Sequence, residues 1–412
     1  MSTVARARTG SGGARLVTLL GPALVAGVAY LDPGNVASNA TAGARFGYLL
    51  VWVVVLANAT AWLVQYLSAK LGLSTGRSLP ELLGERMRHP AARRLFWAQA
   101  ELVAIATDVA EVLGGAIALQ LLFGLPLVLG GLVTGAVSMV LLALRDGRGS
   151  RAFERVVTGL VVVIAIGFCA GIVVAPLDGA QAAAGLVPRF EGTGSVLLAA
   201  SIVGATVMPH AIYAHSALTR DRFGLVEPER RRRVLVATRV DVTIALVVAG
   251  TVNVVILLLS AATLGGVGGT DTIPGAYRAI GAALGPVIAT LFAVGLLASG
   301  LASTSVGAYA GAEIMAGLLH RRIPLLLRRT VTLVPALLLL LLGVDPTLAL
   351  VLSQVALSFG IPFALVPLVV FTARRSLLGE SVNRWWTTAL AVIAAFLLVG
   401  LNVALLVLTV AP

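Results

Sequence analysis

The sequence predicts an all-α polytopic membrane protein of eleven transmembrane helices, ten of them an inverted repeat of five plus five with helices one and six broken. Three observations carry this. The chain is 58% hydrophobic and 12% charged, with a mean hydropathy of +1.00, as in multi-span helical proteins. Its 30 Lys and Arg fall almost wholly in alternate loops. Two apolar runs, five spans apart, each carry a proline beside polar side chains at bilayer depth.

Taken in order, the spans lie at about 16–41, 47–69, 95–122, 126–144, 156–176, 194–218, 236–263, 286–318, 328–343, 347–373 and 385–410. Met1 to Gly13 is expected to be a disordered cytoplasmic segment, and 14–412 a single transmembrane domain. Repeat one runs about 16–176, repeat two about 194–373, and 385–410 is an extra helix. With a cytoplasmic N-terminus, the inner segments hold 3, 6, 4, 7, 4 and 3 Lys plus Arg, 27 of the 30. The outer loops hold only Arg45, Arg189 and Arg278. The positive-inside rule therefore places the N-terminus in the cytoplasm and the C-terminus outside, in the cell's inner (plasma) membrane. Arg230 to Arg233 form a topology anchor or a patch for anionic lipid headgroups. The outer loop 264–285, rich in glycine, leads into a short surface helix.

Several function classes drop out. The +12 charge sits in short loops, so nucleic acid is not the partner. Cys169 is the only cysteine, which excludes an internal disulfide. Lys70 is the only lysine and stands in no Walker A loop, which argues against a built-in ATPase. No HExxH or cysteine cluster marks a zinc protease.

The first span contains Ala29-Tyr30-Leu31-Asp32-Pro33-Gly34-Asn35. An Asp in an apolar run is costly and marks a functional site. Pro33 removes a backbone donor and Gly34 relaxes the chain, so the helix breaks beside the charge. Arg6, Arg8 and Arg15 before the run would also suit a signal peptide, but ten further apolar segments follow. The sixth span repeats the anomaly in Gly204-Ala205-Thr206-Val207-Met208-Pro209-His210. Broken helices five spans apart run in opposite directions, with a substrate site between them near the midplane. There Asp32 offers a carboxylate, Asn35 an amide oxygen, Met208 a thioether, and the unwound turns carbonyls such as those of Ala29 and Ala205. Hard oxygens suit any divalent cation; the soft sulfur adds affinity for Mn²⁺, Fe²⁺, Co²⁺ or Cd²⁺. His210 is a candidate ligand, although its place two residues past Met208 across a proline can aim it elsewhere. His215 lies about 140° further round a helix, so the two histidines are no ligand pair.

Asp-Pro-Gly-Asn in the first helix and Met-Pro-His in the sixth resemble the paired signatures of the Nramp family, the natural resistance-associated macrophage proteins. These are divalent-metal transporters with the inverted-repeat fold of the bacterial leucine transporter. The likeness extends through Ala106 to Glu111 in the third helix and Ser353-Gln354-Val355 and Pro362 in the tenth. It implies metal ligation by Asp32, Asn35, Met208 and the Ala205 carbonyl, with Ala29 and Gln354 joining in some conformations. It also implies proton-coupled uptake of Mn²⁺ or Fe²⁺, with Cd²⁺ also accepted and no resident cofactor. Where the family usually carries glutamines in the eighth helix, this chain has Leu301 and Ala312, with Glu313 beside the second. That departure bears on coupling or gating more than on substrate class.

Glu101, Asp108 and Glu111 fall at i, i+7 and i+10, on one face of the third helix. A buried acidic stripe needs partners or water, and Arg328 and Arg329 at the start of the ninth span are the natural partners. The stripe is either a brace between helices three and nine or a proton route from the site to the cytoplasm. The family resemblance favours the route, and His210 is placed with it. Asn58, Gln65 and Asn253 are interhelical bonds or pathway lining, and Asp241 is expected at the membrane edge.

The expectation is a secondary-active, non-enzymatic importer of Mn²⁺ or Fe²⁺ driven by protons. An amino-acid or Na⁺ symporter of the same fold is the alternative within transport. An intramembrane metalloenzyme is the alternative outside it, and would need three protein ligands and an open position for water.

Overall fold

The computed structural model describes residues 22–148 and 150–410, and Met1 to Gly13 lies outside them. The described residues form helices and turns, with no strand among them. The first helix is split into α1 (Pro22–Gly27) and α2 (Pro33–Phe46), joined by a tight turn over Val28–Leu31. Then come α3 (Val51–Thr75), α4 (Leu79–Arg86), α5 (Pro90–Phe123), α6 (Leu127–Arg148), α7 (Ser150–Cys169) and α8 (Gly179–Ala184). The sixth span is likewise split, into α9 (Gly192–Thr206) and α10 (Pro209–Phe223). The remainder is α11 (Pro228–Leu264), α12 (Ile273–Leu284), α13 (Pro286–Leu319), α14 (Leu325–Leu341), α15 (Pro346–Thr372), α16 (Arg375–Leu378) and α17 (Trp385–Val410).

The boundaries follow local chemistry. Proline stands in the first turn of α2, α5, α10, α11, α13 and α15, where its missing N–H has no intrahelical acceptor to lose. Gly76 and Gly124 end α3 and α5 at φ 65° and 69°, the left-handed cap that only glycine takes freely. Ser78 and Glu81 cap α4 reciprocally: Ser78 N–H donates to Glu81 Oε2 at 2.7 Å, and Glu81 N–H to Ser78 Oγ.

Eight described helices are long and apolar enough to cross a membrane, and Leu127–Ala143 is a shorter apolar one. The expected eleven is not reached by this measure: residues 16–21 of the first span lie outside the described residues, and α14 has 17 residues. Other expected ends also move. The seventh span starts at Pro228, so Arg230 to Arg233 ride on helix rather than in a loop. The ninth span begins at Leu325, placing Arg328 and Arg329 inside the first turns of α14. A short α8 in the loop before the sixth span was not expected, and α12 is the expected surface helix.

One contiguous apolar core reaches from α1 to α17. Around the two breaks, α2 packs along α11, α9 along α15, and α5 along α13. The breaks therefore face each other inside a ring of continuous helices.

Candidate metal site

The first break is written in Asp32-Pro33. Proline disfavours helical geometry in the residue before it, and Asp32 is extended, at φ −71° and ψ 164°. It becomes the N-cap of α2, where Oδ1 accepts the Asn35 backbone N–H at 2.8 Å and the Asn35 side-chain Nδ2 at 2.8 Å. A carboxylate there also meets the positive end of the helix dipole. Carbonyls freed by the break are met from neighbouring helices. Asn253 Nδ2 on α11 donates to Tyr30 O at 3.0 Å, and the Ser299 hydroxyl on α13 donates to Leu31 O.

The second break has the same origin. Pro209 forces Met208 out of helical geometry, to φ −29° and ψ 118°, and no side chain caps α10. The breaks meet through Asn35, whose Nδ2 also donates to Ala205 O at 2.9 Å, while Thr206 Oγ1 stands 3.4 Å from Asn35 Oδ1. From α15, Gln354 Nε2 donates to Asp32 Oδ2 at 3.3 Å. Two glycines permit that approach. A Cβ on Gly34 would collide with the Gln354 side chain, and one on Gly204 with the Gln354 carbonyl oxygen. Asp32, Asn35, Ala205, Met208 and Gln354 are 0% exposed and Ala29 1%, so the site is closed to both sides. Asp32, Asn35, Ala205 and Gln354 thus form one hydrogen-bonded cluster, with Met208 and Ala29 buried at the same two breaks.

The acidic stripe of α5 finds the partners expected of it. Arg329 Nη1 lies 2.7 Å from Asp108 Oδ1 and 3.5 Å from Glu111 Oε2, and Arg328 Nη1 lies 2.8 Å from Glu101 Oε1. Arg329 also donates to Ser138 at 3.0 Å and Thr304 at 3.3 Å, which satisfies a guanidinium that is 0% exposed. His210 does not turn to the cluster of Asp32. Its Nδ1 meets Thr107 Oγ1 on α5 at 3.2 Å, one residue before Asp108.

Other expectations resolve differently. Asp241 is buried, not interfacial: its Oδ2 accepts the backbone N–H of Ala23 on α1 at 2.9 Å. Asn58, Gln65 and Asn253 all bond between helices, to Leu246 O, His215 and Tyr30 O respectively. Glu313 is drawn to the end of α10, where Arg220 contacts it at 3.0 Å, Glu81 at 2.8 Å and Asp221 at 2.7 Å. Glu81, on α4, lies outside the spans. Burial pushes its carboxyl up, and the hydrogen bond and charge of Arg220 outweigh that and hold it below the usual carboxylate range. The hydroxyls around the breaks were missed: Ser299, Thr206, and Ser38, whose Oγ lies 2.6 Å from Ser201 Oγ. A hydroxyl in a helix can always bond its own preceding turn, so its residue type alone carried no signal.

Two facing broken helices, closed over a polar cluster by a ring of unbroken ones, define an inverted-repeat membrane protein of the leucine-transporter type. The structure of MhsT in complex with L-phenylalanine shares the fold at a TM-score of 0.53 and 16% identity over 97% of this chain and 98% of that one. The chain belongs to the Nramp family: the profile described as "Natural resistance-associated macrophage protein-like" matches residues 23–408. It is 60% identical to the divalent metal cation transporter MntH of Mycobacterium tuberculosis over 95% of this chain and 92% of that one. It is 44% identical to MntH of Bacillus subtilis over 95% and 92% of the two chains. The structure of an Eremococcus coleocola manganese transporter superposes with a TM-score of 0.84 at 31% identity, covering 96% of this chain and 88% of that one.

Proposed function

We propose that the protein is a secondary-active importer of divalent transition metals, Mn²⁺ or Fe²⁺ with Cd²⁺ also accepted, driven by protons and working by alternating access. The supporting observation is the position of the Asn35 amide. Its NH₂ group fills the gap between Asp32 Oδ1 and Ala205 O, within 2.9 Å of both. Flipping the amide would bring its own oxygen into that gap, so that three oxygens converge. A divalent cation bridging them would hold such a cluster together, with the Asn35 amide oxygen as one of its ligands.

Asp32 supplies the negative charge, Asn35 and Ala205 hard oxygens, and Met208 the soft donor that favours transition metals over Mg²⁺ and Ca²⁺. Gln354 Oε1 is buried without a partner among the described residues, so it is available as a further oxygen ligand. Ala29 offers its carbonyl from the unwound turn. Protons take the separate path of His210, Asp108, Glu111 and Glu101, with Arg328 and Arg329 as its counter-charges. The N-terminus faces the cytoplasm on this reading, as the basic loops require. The relatives are named as transporters, so the metalloenzyme reading falls away. A thioether beside a carboxylate disfavours an amino acid or Na⁺ as cargo.

The test is uptake by purified protein in liposomes, with Mn²⁺, Fe²⁺, Cd²⁺, Mg²⁺ and Ca²⁺ offered separately and internal pH followed. Entry of the first three with acidification supports the proposal. Entry of Mg²⁺ or Ca²⁺ at equal rates, or of an amino acid instead, overturns it.

A further inference from the structure

At one end of α3 and α11, two cations share an aromatic ring with no carboxylate between them among the described residues. Lys70 Nζ lies 5.9 Å from the Tyr66 ring centroid, and the Arg239 guanidinium lies 5.0 Å from it. Lys70 is 5% exposed, and its ammonium donates to a neutral acceptor, Asn383 Oδ1. Arg239 is exposed, and among the described residues no carboxylate is within ion-pairing distance of either. Asp241, the nearest acid in sequence to Arg239, is turned inward to Ala23. A ring face stabilises one cation well, but two like charges held about it repel unless an anion joins them.

Both helices then grade from charge to hydrocarbon at the same spacing. On α3, Lys70, Tyr66 and Trp62 follow at i, i−4 and i−8; on α11, Arg239, Thr243 and Val247 follow at i, i+4 and i+8. The helices are antiparallel neighbours, so the two series run side by side. Trp62 and Tyr66 stack at 6.1 Å with 13° between planes, and Trp62 Nε1 donates to Thr243 Oγ1 at 2.9 Å. Beyond them Ile244 and Val247 are 47% and 59% exposed, apolar surface at bilayer depth. Cations, then an aromatic and hydroxyl band, then bare aliphatics repeat the profile of a phospholipid from phosphate to chains.

We propose that this face binds one anionic phospholipid, its phosphate bridging Lys70 and Arg239, its glycerol region against Tyr66 and Trp62, and its chains along Ile244 and Val247. On the orientation proposed above, the lipid belongs to the cytoplasmic leaflet. The bridged anion clamps the ends of α3 and α11, and through Lys70 and Asn383 also reaches the segment between α15 and α17.

The test involves no metal, so its outcome is independent of the transport reading. The purified full chain in detergent is titrated with phosphatidylglycerol, phosphatidylcholine or inorganic phosphate, with thermal melting and native mass spectrometry as readouts. Phosphatidylglycerol should raise Tm saturably and leave one retained lipid; the other two should not. Arg239→Gln, at an exposed position, should keep the lipid-free Tm and weaken phosphatidylglycerol binding about fivefold, the effect of one interfacial cation. Tyr66→Leu should weaken it similarly, and Arg232→Gln, further along α11, should leave it unchanged. An equal Tm rise with phosphatidylcholine, or with inorganic phosphate alone, overturns the proposal. So does an equal loss in Arg232→Gln, which would mean a diffuse basic face.

Discussion

Single residues decide what the site can hold. Asp32 carries the charge of the cluster, so Asp32→Ala should abolish Mn²⁺ uptake while the protein still inserts and melts cooperatively. Near-normal uptake by that variant would remove the site from the first break. Met208→Ala takes away the soft donor and leaves oxygens. Cd²⁺ affinity should fall by about tenfold or more, Mn²⁺ affinity less, and Ca²⁺ should begin to compete, as equilibrium binding would record. The two breaks were legible in the sequence because Asp32 and Met208 each stand directly before a proline, and an X-Pro pair marks a departure from helix in the order of residues alone. Asp241 was not legible. Its contact with Ala23 joins residues 218 positions apart on two different helices. The direction of His210 was equally hidden, since a ring two residues past a break can face the site or the neighbouring helix.

Among the elements, α5 and α14 carry the sharpest question. Arg329 is wholly buried between Asp108 and Glu111. Breaking such a pair leaves an uncompensated buried charge, so Arg329→Ala should cost about 3–5 kcal/mol of stability, read as a lower Tm. Asp108→Asn separates brace from relay, because it keeps the shape and removes the titratable proton. If Asp108 relays protons, metal binding should survive while acidification per metal ion falls sharply. A lower Tm with an unchanged proton-to-metal ratio would make the stripe a brace alone. The helix periodicity of the three acids made this pairing readable from sequence. The hydroxyls that complete it, Ser138 and Thr304, come from other helices and left no pattern.

For the whole molecule, charge asymmetry between loops predicts an orientation that the fold itself does not contain. With Cys169 replaced by Ser, single cysteines at Arg278 and Arg232 should label oppositely: an impermeant maleimide added outside intact cells should reach the first and not the second. The reverse pattern would invert the topology. The overall architecture was legible because hydropathy and two misplaced prolines are enough to specify paired broken helices. Span lengths were not, since helices continue past the apolar run wherever caps and loops allow, as α11 does through its four arginines.

The central claim is that the transported ion sits between the two breaks, and metal-edge X-ray absorption on Cd²⁺-loaded protein in the Cys169→Ser background tests it most directly. An oxygen-dominated shell with one sulfur, lost in Met208→Ala, is the predicted result. A shell without sulfur, or one whose sulfur survives Met208→Ala, would contradict it.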